Sequence, residues 1–202
     1  MKKLLNWLTR NRQVDPLAEW ERRGRPVPPP HVVKQRVLRG YAERYHLKIF
    51  VETGTYRGDM VEAMKHLFHR IYSIELSDTL FAAARRRFRR DSHIELLHGD
   101  SSQELGRIME RVDQPVLFWL DGHYSAGDTA RGEKDTPICD ELAEIFRAPD
   151  LGHVIIIDDA RCFGSDPAYP TLPALREYVW SRRPHAGIVV EDDSIRITPP
   201  ER

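Results

Sequence analysis

Cysteine is scarce. The chain has two, Cys139 and Cys162, far apart and in no C-x-x-C pair. That excludes a disulfide framework and a thiolate zinc site, and it points to a reducing, cytoplasmic compartment. An excess of one charge is also lacking: 31 lysines and arginines balance 31 aspartates and glutamates. Nothing in the overall charge asks for nucleic acid or an acidic surface as partner. No apolar run approaches the length of a membrane span, so stable membrane insertion is not expected. The opening MKKLLNWLTRNR has a basic front, but its apolar stretch is very short and no small-residue cleavage site follows. It is not read as a signal peptide. Internal repeats and low-complexity tracts are missing. So is the G-x-G-x-x-G of a dinucleotide site, which argues against a nicotinamide-linked oxidoreductase.

What is present centres on Ile49 to Asp59, IFVETGTYRGD. Ile49, Phe50 and Val51 have strand length and strand character, and Glu52 closes the run. Gly54 and Gly58 let the backbone turn sharply and approach a ligand. A helix is predicted from Asp59 to Arg70, with Met60, Val61, Met64, Leu67 and Phe68 on one face. The 202 residues suit one domain with an extension.

Residues 1–30 read as an N-terminal arm and linker. Leu4, Leu5, Trp7 and Leu8 line one side of a short helix flanked by Lys2, Lys3, Arg10 and Arg12. Its apolar face is small, which favours a lid or a terminal helix packed on the domain over a foot on a membrane. Pro26 and Pro28 to Pro30 mark a stiff linker.

Residues 31–202 then alternate. A helix spans His31 to Tyr45. Strands follow at 49–52, 70–75, 94–98, 115–120 and 154–157, with helices between them. Ser77 or Asp78 caps one helix, and Pro137 fits the first turn of another. The run RRRFRR at 85–90 reads as a solvated outer face rather than a phosphate or nucleic-acid site. GIVVEDDSIRI reads as a hairpin turning at Asp192 to Ser194. The fold class is α/β: a doubly wound, mostly parallel Rossmann-like sheet with a C-terminal antiparallel hairpin.

An acid stands at the carboxyl end of each successive parallel strand: Glu52, Glu75, Asp100, Asp121, and Asp158 with Asp159. In such sheets the ligand crevice lies at those ends. Acids gathered at all five strand ends repel one another, and a cationic ligand or a metal would offset that repulsion. Oxygen donors without cysteine or clustered histidines suit a hard divalent cation. Helix capping and loop solvation are the plainer reading of the aspartates.

On these residues the chain resembles the class I S-adenosylmethionine-dependent methyltransferases. The resemblance implies that Glu52, Thr53, Gly54, Thr55, Tyr56 and Gly58 form the loop around the methionine part of the cofactor. It implies that Glu75 holds the ribose, and that Asp100 and Ser101 meet the adenine. E-x-G-x-Y-x-G with Asp121 and the Asp158–Asp159 pair is similar to metal-dependent O-methyltransferases of the catechol and macrolide-sugar types. That likeness implies Mg²⁺ held by Asp121, Asp158 and Asp159, with Asp121 also bordering the cofactor. The stretch LDGHYSAGDTARGEKDTP resembles bacterial methyltransferases of this superfamily whose substrate is unassigned.

The expected activity is O-methylation of a small-molecule or glycan hydroxyl. Metal-free transfer to another acceptor and a non-catalytic cofactor-binding module are the alternatives, and a homodimer is left open. The catechol-type enzymes carry a lysine three residues after the first metal acid, where this chain has Tyr124. The neighbouring His123 is the better candidate base, its intrinsic pKa lying near neutrality, or else it orients the loop. Asp121, His123 and Tyr124 are the candidate catalytic residues. The long loop 122–136 is expected to close over the acceptor, with Arg131 and Lys134 either meeting an anion or simply solvated.

Overall fold

The computed structural model describes residues 15–122 and 136–200. His123, Tyr124, Arg131, Lys134 and the helix expected around Leu4 to Leu8 lie outside them. The elements run α1 (Pro16–Arg22), α2 (His31–Arg44), β1 (Ile49–Thr53), α3 (Asp59–Met64), β2 (Arg70–Glu75), α4 (Asp78–Arg87), β3 (Ile94–His98), α5 (Ser101–Met109), β4 (Val116–Leu120), α6 (Ile138–Arg147), β5 (Val154–Ile157), a single 3₁₀ turn (Ala160–Cys162), α7 (Leu172–Arg182), β6 (Gly187–Glu191) and β7 (Ser194–Thr198). Among the described residues no helix is long and apolar enough to cross a membrane.

The strands form one sheet in the order β3-β2-β1-β4-β5-β7-β6. β1 to β5 are parallel, and β7 runs antiparallel to both β5 and β6. Both faces are covered, which is why β4 and β5 read as unbroken apolar runs and β1 opens on one. Alternate residues serve opposite layers. Val51, Phe118 and Ile155 pack with Leu105, Leu142 and Val179 of α5, α6 and α7. Phe50, Trp119 and Ile156 pack with Leu38, Val61 and Ala84 of α2, α3 and α4. Each large side chain so buried contributes about 1.5–3 kcal/mol.

Two elements differ from the sequence expectation. The helix after the first loop ends at Met64 rather than Arg70. Arg70 already pairs with Ile49 in the sheet, so the chain must reverse before it. Leu67 and Phe68 stay apolar because they cover the core from a turn, Phe68 stacking on Phe50 with ring centroids 5.2 Å apart. A second difference is α1. Its N-cap Asp15 accepts from the Leu17 amide, and its Trp20 is buried, donating from Nε1 to the carbonyl of Pro26 at 2.8 Å.

The hairpin turns through Asp192 and Asp193, at φ 48° and 60°. Two positive φ values in a two-residue loop match the right-handed twist of the strands. This turn brings Asp193 back to the carboxyl end of β5, where its carbonyl accepts from the Ala160 amide at 2.8 Å.

Candidate functional site

The strand order reverses between β1 and β4, and there the strand ends open a crevice. Register sets what faces it. Thr53 pairs with Leu120, and Leu120 with Ile157. The next residues, Gly54, Asp121 and Asp158, therefore leave the sheet side by side. The Asp121 amide donates to the Thr53 carbonyl at 3.3 Å, and the Asp158 amide to the Leu120 carbonyl at 3.0 Å.

The loop after β1 is tight. The amides of Gly54 and Thr55 both donate to the Ile74 carbonyl at 3.0 Å, and the Gly58 amide to the Thr55 carbonyl at 2.8 Å. Gly54 has φ +80°, and a Cβ there would lie 2.5 Å from the Asp121 carbonyl oxygen. Gly58, at φ +77°, caps α3 with Phe88 against it; a Cβ would come within 2.6 Å of that ring. Arg87 donates to the Arg57 carbonyl at 2.5 Å and to Asp59 at 2.7 Å. The arginines of the RRRFRR run are exposed, and Arg87 among them also braces this loop.

Around the loop the acids are held by neutral donors. Glu75 accepts from the amides of Tyr56 at 2.7 Å and Ser77 at 2.9 Å. Glu52 is buried and accepts from the Ser73 hydroxyl at 2.6 Å, which in turn meets the Thr55 hydroxyl at 2.6 Å. Burial holds the Glu52 carboxyl well above the usual range; Asp121 and Glu75 push the same way, and Ser73 opposes. Asp100 is the N-cap of α5, accepting from the Ser102 amide at 2.8 Å. Ser101 follows, nearly buried, while Tyr56 is open to solvent.

On the β4–β5 side Asp121, Asp158 and Asp159 offer carboxylate oxygens that all lie within 4.8 Å of one another. At that separation two carboxylate charges repel by roughly 3 kcal/mol at an effective dielectric near 20. Two cations offset part of this. Lys34, from the first turn of α2, forms an ion pair with Asp158 Oδ2 and sits 5.7 Å from the centre of the Trp119 ring. Arg161 donates to Asp159 at 2.7 Å and also pairs with Asp193. Asp158 Oδ1 is buried with no hydrogen-bond partner. Burial, then the charge of Asp121, raises the Asp158 carboxyl, and Lys34 only partly offsets this. Lys34 is raised too: burial lowers it, but Asp158, Asp121 and Asp159 together outweigh that. Both shifts follow from a surplus of acid around one ammonium.

Sequence reasoning overlooked Lys34, Arg161 and Glu141. Glu141, on α6, is 1% exposed, and its Oε1 has no hydrogen-bond partner. Burial pushes its pKa up to about 7, against the pull of the Ser101 and Thr53 hydroxyls. With Asp121, Asp158, Thr136 and Tyr169 it lines a cavity of about 10 Å³, room for about one water. A signal for Lys34 was available. The first turn of α2 carries His31 and Lys34 and no acid, where the helix dipole favours anions. His153 lies at the opposite end of β5. Its Nδ1 accepts from the Val116 amide at 3.1 Å, and its place is structural.

No protein-family model and no curated protein sequence matches the chain. Solved structures do. The O-methyltransferase TomG from Streptomyces achromogenes, involved in tomaymycin synthesis and solved with S-adenosylmethionine, superposes with a TM-score of 0.61 at 14% identity, covering 98% of this chain and 95% of its own. An O-methyltransferase from Bacillus cereus, solved with S-adenosylhomocysteine, gives 0.61 at 14% identity over 92% and 89%. The S-adenosylhomocysteine-bound Podospora anserina methyltransferase PaMTH1 gives 0.58 at 17% identity over 93% and 88%. The chain therefore has the Rossmann-like fold of these methyltransferases.

Proposed function

We propose that this protein transfers a methyl group from S-adenosylmethionine to a hydroxyl of a small molecule or sugar, with Mg²⁺ held by Asp121, Asp158 and Asp159. The observation that carries the reading is the convergence of those three carboxylates beside the Gly54–Gly58 loop, at the point where the strand order reverses. Three hard oxygen donors and the bare Asp158 Oδ1 suit a divalent cation.

In this reading Glu75 takes the ribose hydroxyls, since two backbone amides fix the direction of its carboxylate. Thr53 and Glu52 shape the loop from within the sheet and Thr55 from the loop itself, while Gly54 and Gly58 bring backbone against the cofactor. Tyr56 covers it, and Asp100 and Ser101 border the adenine. When bound, the divalent cation would lower the pKa of a coordinated hydroxyl and orient its oxygen toward the methyl-sulfonium bond. The hydroxyl proton leaves to a base, for which His123 or Tyr124 is the candidate.

One observation favours a second reading. The Lys34–Asp158 ion pair already supplies a positive charge to the acids, as a metal-free methyltransferase would require. Calorimetric titration with S-adenosylhomocysteine, in Mg²⁺ and then in chelator, separates the two. Cofactor binding in both conditions, with a Mg²⁺ signal lost in Asp121→Ala, is the expected result. Cofactor binding with no metal signal selects the metal-free reading, and no cofactor binding overturns both.

A further inference from the structure

Lys34 is an unusual neighbour for a metal site. It stands in the first turn of α2, where exposed helix amides already carry positive potential and a second cation is disfavoured. Its side chain is 18% exposed, and that of Asp158 only 2%. Lys34 reaches Asp158 Oδ2 across the face of Trp119, whose ring attracts the ammonium. The other oxygen of the same carboxyl, Oδ1, is buried and bare. One carboxylate thus has one oxygen committed to an ammonium and one left for a second cation. A divalent ion seated among Asp121, Asp158 and Asp159 would then share a single carboxylate with a like charge. That juxtaposition is strongly unfavourable beside a carboxylate this buried.

We propose that Lys34 is a tethered cation that holds the acid site until a divalent ion displaces it, the ammonium and the metal excluding one another at Asp158. This rests on the metal reading above. The lysine stem is flexible, so the ammonium can leave without unwinding α2. Lys34 is then a determinant of metal affinity: it offsets part of the repulsion among the acids when no ion is bound, and it makes loading weaker and reversible.

The test is Mn²⁺ binding to the full chain, followed by loss of the free-ion paramagnetic resonance signal, for the parent protein, Lys34→Met and Lys34→Arg. Lys34→Met should bind Mn²⁺ roughly tenfold tighter or more, and Lys34→Arg should resemble the parent. Equal or weaker binding by Lys34→Met overturns the proposal and leaves the metal reading standing. Absence of binding in all three overturns both. Should Lys34→Met fail to fold, the parent protein gives the answer by itself. Acetylation of Lys34, read by mass spectrometry, should speed up when Mn²⁺ is added, because the released ammonium becomes accessible. An unchanged or slower rate overturns the proposal.

Discussion

Two halves of one sheet edge hold their acids in different ways. At the ends of β1 and β2, Glu52 and Glu75 are held by a serine hydroxyl and backbone amides. At the ends of β4 and β5, Asp158 and Asp159 are held by the charged ends of Lys34 and Arg161. Backbone amides fix the Glu75 carboxylate without cancelling its charge, so it stays ready to accept hydrogen bonds from hydroxyls. Side-chain cations offset part of the charge they face, so the second half already pairs its acids with positive partners. Both halves carry carboxylates, and the partners set them apart.

The largest effect that would break this contrast comes from Asp158→Ala. Turnover with a hydroxyl acceptor should fall by about a hundredfold or more, while calorimetry should find S-adenosylhomocysteine affinity unchanged. A parallel loss of cofactor affinity would mean that the two halves are one site.

Next in size is Glu141, which lies between the halves. Its folded pKa, about 7, lies above its ordinary 4.5, so the folded state holds the proton more tightly. Its stabilising contribution is fully present below about pH 4.5 and is lost as pH rises through about 7, at most roughly 3 kcal/mol. Denaturation of the parent across that window should show the decline, and Glu141→Gln should lack that part of it.

Gly54→Ala strikes the seam, where the β1 loop meets the Asp121 carbonyl. A methyl group 2.5 Å from that oxygen, at φ +80°, should cost about 2 kcal/mol or more in thermal unfolding. The smallest expected effect sharpens the neutral half. Glu75→Gln should weaken S-adenosylhomocysteine about tenfold, by the difference between a charged and a neutral acceptor. Unchanged affinity would remove Glu75 from the ribose.

Much of the frame was legible. Apolar runs marked β1, β4 and β5, the alternation placed β2 and β3 between helices, and the acids after all five marked the working edge. The hairpin was signalled by its paired aspartates. What stayed hidden depends on contacts between distant segments. Lys34 is one basic residue on an amphipathic helix until β4 and β5 place Trp119 and Asp158 under it. Glu141 interrupts an apolar face, and its burial is decided by Thr53 and Ser101 from two other elements. The early end of α3 was masked because Leu67 and Phe68 continue the helical spacing while covering the core from a turn. Arg161 needs Asp193, which only the hairpin supplies. His123 and Tyr124 remain readings of the sequence.

That hairpin also sets an order of events. Asp121, Asp158 and Asp159 are all synthesised before β7, yet Arg161 is fixed between Asp159 and Asp193 only once β7 has slotted in beside β5. The clamp on Asp159 therefore spans the hairpin, and a chain cut short before Asp193 would lack half of it.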